Sequence, residues 1–107
     1  MIQKSIEKVD QKYIQSLASK IKQQFHPEKI ILFGSYGYGA PHRASDIDLL
    51  VIMQTDIPVR EQAFLIRREI REPISVDVIV RTPQQIEERI RQGDFFIREI
   101  VRKGKEL

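Results

Sequence analysis

Ile30-Ile31-Leu32-Phe33-Gly34-Ser35, then ten residues, then Asp46-Ile47-Asp48-Leu49-Leu50-Val51-Ile52, is the stretch whose reading decides the fold. A β-branched apolar run that stops at Gly-Ser reads as a buried strand closing in a tight turn. The second run reads as another buried strand, opened by two carboxylates. Residues i and i+2 of a strand project from one face, so Asp46 and Asp48 are expected side by side at its start. Paired acidic oxygens are the preferred ligands of hard cations. Gly34, lacking a Cβ, can take positive φ and let an anion approach the backbone, and Ser35 adds a hydroxyl donor. A short helix beginning there would also point amide N–H groups at a phosphate.

Working outward, Ile14, Leu17, Ala18, Ile21 and Phe25 recur at spacings of three and four and predict an amphipathic helix over 10–25, with Asp10 as N-cap and His26-Pro27 as its end. Residues 29–33 form the first strand, and 34–45, with three glycines and a proline, a turn whose first half can be a short helix and whose rest is an exposed loop. Residues 47–53 make the second strand. Pro58 opens a helix with a stripe of Val59, Ala63, Ile66 and Ile70, widened by Phe64 and Leu65. In a third strand over 75–80, Val76, Val78 and Val80 share one face while Asp77 and Ile79 share the other. Thr82-Pro83-Gln84-Gln85 combines an N-cap, a first-turn proline and a capping-box glutamine. That helix ends near Gly93, and Asp94 caps a last one carrying Phe96, Ile97, Ile100 and Val101, with Phe95-Phe96 expected to supply core or a partner contact. Strands alternating with helices predict an α/β (α+β) fold, a small three-stranded mixed sheet flanked by helices, as one domain over 1–107.

The chain has 107 residues, 41% hydrophobic and 31% charged, and a net charge of +3, the composition of a soluble globular domain. It contains no cysteine, which excludes disulfides, zinc-thiolate sites and cysteine nucleophiles and fits a reducing cytoplasm. The first ten residues lack the apolar core of a signal peptide, and no run reaches membrane-spanning length. Basic and acidic residues interleave, so most of them read as solvated helix faces. Only residues 98–105 approach the basic clustering a nucleic-acid footprint requires, and nucleic acid is not the expected partner.

A carboxylate in an apolar strand requires a counter-charge, because an unpaired buried charge costs several kcal/mol. Asp46, Asp48 and Asp77 are three such residues. Each alone could cap a turn or pair with an arginine. On neighbouring strands of one small sheet their mutual repulsion points instead to a metal ion that gathers them.

The segment Phe33-Gly34-Ser35 through Ser45-Asp46-Ile47-Asp48-Leu49-Leu50-Val51 resembles the signature of the DNA polymerase β-type nucleotidyltransferase superfamily, and more narrowly that of the minimal nucleotidyltransferase (MNT) proteins. Many of these are antitoxins to HEPN-domain RNase toxins. The likeness takes in Val76-Asp77-Val78-Ile79-Val80, the Thr82-Pro83 helix start, Phe96-Ile97-Arg98-Glu99-Ile100 and Lys103-Gly104-Lys105. It implies a polymerase β-like fold in which Gly34 and Ser35 hold the β- and γ-phosphates of ATP. Asp46 and Asp48 then bind two Mg²⁺ ions, and Asp77 completes the catalytic set, helping to hold the metal and drawing the proton of the acceptor hydroxyl. The implied reaction is transfer of AMP from ATP to a tyrosine of a HEPN toxin, possible as a hetero-oligomer, in the cytoplasm. The predicted elements consume the chain, so the acceptor is expected to arrive on a partner.

One position departs from the family pattern. Many relatives carry a basic residue between the Gly-Ser and the acidic pair, near where this chain has Tyr38. Tyr36 and Tyr38 can stack on a nucleobase or cover the loop; Arg43, beside His42, can reach a phosphate or face solvent. Two alternatives follow: an antitoxin that neutralises by binding alone with a weak or vestigial site, or a transferase acting on a small molecule such as an aminoglycoside.

Overall fold

The fold is described from a computed structural model, which covers residues 10–39, 46–71 and 74–107. Arg43, read from the sequence as a phosphate-binding candidate, lies outside the described residues.

Helix α1 (Gln11–Phe25) starts where Asp10 accepts the Tyr13 N–H at 3.0 Å and stops at His26, whose left-handed backbone (φ 51°) turns the chain. It leads into β1 (Lys29–Phe33), the single-turn α2 (Gly34–Gly37) and β2 (Ile47–Ile52). After β2 the chain crosses over through α3 (Val59–Ile70) to β3 (Val76–Arg81), and continues as α4 (Pro83–Arg91), α5 (Phe95–Lys103) and β4 (Lys105–Glu106). The strand order is β3-β2-β1-β4, with β1 antiparallel to β2 and β4, and β2 parallel to β3.

The sheet therefore has four strands, not the three that the hydrophobic pattern indicates. β4 is two exposed charged residues and has no apolar signal to read. It exists through its backbone, with Lys105 opposite Leu32 and Glu106 opposite Ile31, and the Leu107 N–H bonded to the Ile30 carbonyl at 2.9 Å. Gly104 makes this return possible: a Cβ there would meet Ile31 Cγ2 and the Ile100 carbonyl. β3 lies one residue beyond the expected span, because pairing with β2 carries it through Arg81 opposite Ile52.

The alternation of side chains divides the core into two layers. Ile30, Leu32, Ile47, Leu49, Val51, Val78 and Val80 face α1 and α3, where Leu17, Ile21 and Ile66 close the larger core. Ile31, Phe33, Leu50 and Ile52 face the other way, against Ile100 of α5 and, at the margin, Ile86 of α4. Phe95 and Phe96 are not core as expected: they are 70% and 53% exposed, and Phe96 only rests edge-on against Phe33, with ring centroids 5.9 Å apart. Asp94 forms the N-cap of α5, accepting from Ile97 N–H, which directs Ile97 and Ile100 inward and leaves the two phenylalanines outside. Among the described residues, no helix is long and apolar enough to cross a membrane.

Candidate active site

Three elements meet where β1 ends. Gly34 begins α2 with φ +70°, a left-handed conformation that side chains with a Cβ rarely adopt. Its missing Cβ has a second consequence: the space is taken by the carboxylate of Asp48, and a methyl group would collide with Asp48 Oδ2. The backbone turn and the carboxylate are therefore in direct contact.

Asp48 is the second residue of β2. It lies opposite Phe33 in the antiparallel pair with β1 and beside Asp77 in the parallel pair with β3. Both carboxylates share the face of Leu50 and Ile79. Burial, then the charge of Asp77, then that of Asp46, and finally a hydrogen bond with the Asp77 carboxyl push the Asp48 carboxyl up from 3.8 to about 6. Every one of these influences opposes ionisation, and among the described residues no Lys or Arg offsets them. The alternative in which arginines neutralise Asp48 and Asp77 thus has no support among the described residues.

The sequence-predicted residues fall into place unequally. Gly34, Asp48 and Asp77 converge. Half-buried Ser35 follows Gly34 in the turn, and its hydroxyl has no hydrogen-bond partner among the described residues. Asp77 is exposed rather than buried, because β3 is the outer strand of the sheet. Asp46 precedes β2 and is also exposed, acting on Asp48 through its charge. Among the described residues no three His, Cys, Asp or Glu side chains close around a common point. The donor set is thus a contacting pair with a third carboxylate in electrostatic reach. Such a set suits Mg²⁺, which is commonly held by one or two carboxylates and completes its shell with phosphate oxygens and water. Asp48 and Asp77, with the Asp46 carboxylate in electrostatic reach, are the residues that would hold it.

Sequence reasoning missed one feature. Phe33 is the cross-strand neighbour of Asp48, and Phe96 covers its edge, so an aromatic pair borders the carboxylates. Tyr38 sits 45% exposed at the end of α2, its N–H bonded to the Gly34 carbonyl at 2.9 Å. Strand register is the signal that locates Phe33, and periodicity alone does not supply it.

Residues 14–107 match the nucleotidyltransferase domain family, and the chain belongs to it. A crystal structure at 1.40 Å resolution of a protein from Sulfolobus solfataricus, to which nucleotidyltransferase activity is attributed, has the same fold. It is 25% identical with a TM-score of 0.57, and the match covers 72% of this chain and 70% of that one. No curated protein matches the chain. The family and the mixed α/β architecture agree on a nucleotidyltransferase, which is the class of protein the fold defines.

Proposed function

We propose that this domain is a Mg²⁺-dependent nucleotidyltransferase that moves AMP from ATP to a hydroxyl group of a protein, a tyrosine of a HEPN-type toxin, and so acts as an antitoxin. The observation that carries the transferase part of the reading is the Asp48 carboxylate in contact with both Gly34 and Asp77, with no basic side chain among the described residues to balance it. The antitoxin part is supported by the likeness of the central motif to the minimal nucleotidyltransferases.

In this reading the Gly34 backbone lets the triphosphate approach, and Ser35 donates its hydroxyl to a phosphate oxygen. Asp46, Asp48 and Asp77 supply the negative charge that holds the cations. When bound, Mg²⁺ neutralises the triphosphate and aligns the nucleophile with the leaving group. The acceptor oxygen bonds to the α-phosphorus while the bond from that phosphorus to the bridging oxygen breaks. Pyrophosphate departs with the bond's electron pair, and the hydroxyl proton passes to an Asp77 carboxylate oxygen. Exposure of Asp77 on an outer strand suits it to meet a hydroxyl carried by another macromolecule.

The test is incubation with α-labelled ATP, Mg²⁺ and the product of the neighbouring gene, which this reading expects to be a HEPN-domain protein. Label should appear on that protein and be absent with Asp46→Ala. Absence of transfer, together with equal neutralisation by Asp46→Ala, would leave the second reading, a module that masks its toxin by binding. Tyr38 at a usually basic position is the feature that favours that reading. Mg²⁺-ATP separates the two, since a ligand at a hundred times its Kd stabilises a fold by about 2.7 kcal/mol. Label appearing only on a small-molecule acceptor would indicate the third.

A further inference from the structure

The free edge of β3 carries a feature that nucleotidyl transfer does not use. The Ile47 N–H bonds the Ser75 carbonyl at 3.0 Å and the Met53 N–H bonds the Arg81 carbonyl at 3.1 Å. The odd-numbered residues of β3 therefore direct their backbone groups at β2. Alternation along the ladder turns the N–H and C=O of Val78 and Val80 toward the free edge. The Val80 carbonyl is taken by Arg81 Nη1 at 2.8 Å. The Val78 and Val80 N–H groups and the Val78 carbonyl have no partner among the described residues.

A cavity of about 440 Å³ follows this edge, lined by Val78, Val80 and four arginines, Arg60 and Arg67 of α3, Arg81 of β3 and Arg89 of α4. Among the described residues no carboxylate lines it. Arg89 is paired with Asp94 at 3.0 Å, whereas Arg60 and Arg67 are exposed and without a partner among the described residues. Charged side chains often protect an exposed strand edge from aggregation. Protection, however, is served by charge of either sign, and here one sign surrounds open backbone donors.

We propose that this groove receives an extended acidic segment of a partner protein, which adds as a further strand to β3. Side chains of an added strand alternate between the two faces of the sheet. Arg60 and Arg67 stand on the α3 face; Arg81 shares the opposite face with Arg89 of α4. The segment therefore carries acidic residues at successive positions, not at every second one. Single-stranded RNA would satisfy the arginines but could not complete the ladder at Val78 and Val80. The inference does not depend on the transfer reaction, and its test uses neither ATP nor Mg²⁺.

The probe is a fluorescein-labelled peptide, Glu-Asp-Val-Glu-Asp-Val-Glu, titrated into the full chain at physiological salt, with labelled polyuridine as contrast. Binding is expected, with at least about tenfold slower hydrogen exchange at the Val78 and Val80 amides. Combining Arg60→Glu with Arg67→Glu should weaken binding by about tenfold or more while leaving the melting temperature in place, since both side chains are exposed. Binding without amide protection, or binding that survives the double substitution, would overturn strand addition. Failure of the peptide to bind would do the same, and if polyuridine alone binds, the groove is a nucleic-acid site instead.

Discussion

Gly34 serves two demands at once, a left-handed backbone and an open space for the Asp48 carboxylate. Gly34→Ala should therefore cost about 1–2 kcal/mol in denaturant unfolding from the backbone alone, and should abolish thermal stabilisation by Mg²⁺-ATP because the carboxylate is displaced. Asp48→Asn separates stability from function. The native environment raises this carboxyl to about 6, so its ionised form opposes folding. Relative to a group that ionises at 3.8, that penalty is absent at lower pH and complete above about 6. In metal-free buffer at pH 8 the variant should be more stable than the parent by on the order of 1 kcal/mol, allowing for solvent screening. The gain should vanish near pH 4, and no Mg²⁺-ATP stabilisation should remain. At this scale the sequence was informative about identity and less so about company. Gly-Ser and Asp-x-Asp before an apolar run state their chemistry locally, through φ freedom and the strand period. That Asp48 touches Asp77, while Asp46 stays outside the pair, depends on cross-strand register, which no local pattern encodes.

Elements were legible where they carry terminal signals. Asp10, Thr82 and Asp94 each cap the helix that follows, and Thr82 with Gln85 completes a reciprocal capping box. Asp94 holds two helices together, since it bonds the Ile97 N–H at 3.1 Å and the Arg89 guanidinium at 3.0 Å. The Ile97 N–H and then Arg89 hold its carboxyl below the usual value of 3.8. A lowered carboxyl stabilises the fold above its unfolded value and loses that contribution as pH falls through the folded one. Thermal melts should thus show Asp94→Asn less stable than the parent at pH 7, with the gap closing as pH drops below about 3.8. Phe95 and Phe96 were misread because a doubled aromatic resembles core by composition, whereas the cap at Asp94 fixes the helical phase and turns both rings outward. β4 offered no signal, being two charged residues aligned by backbone bonds.

Across the whole molecule, stability should be graded from the central strands outward. β1 and β2 are paired on both sides and covered on both faces, while β4 depends on one neighbour and on the absence of a side chain at Gly104. Gly104→Ala would push a methyl into Ile31 Cγ2 and the Ile100 carbonyl, so hydrogen exchange at Leu107, whose N–H bonds Ile30, should accelerate while the amides of Leu49 and Val51 keep their protection. The layer order and mixed α/β class followed from the alternation of strand and helix. Strand number and the parallel partnership of β2 with β3 did not, since both rest on contacts between distant segments. That partnership also has a cost in speed. A parallel pair must close the long connection that its crossover helix spans, and such non-local pairing slows folding. Asp48 and Asp77 are neighbours only once β2 and β3 have paired. The carboxylate pair is therefore a product of the finished sheet, and a copy with β3 undocked from β2 lacks it.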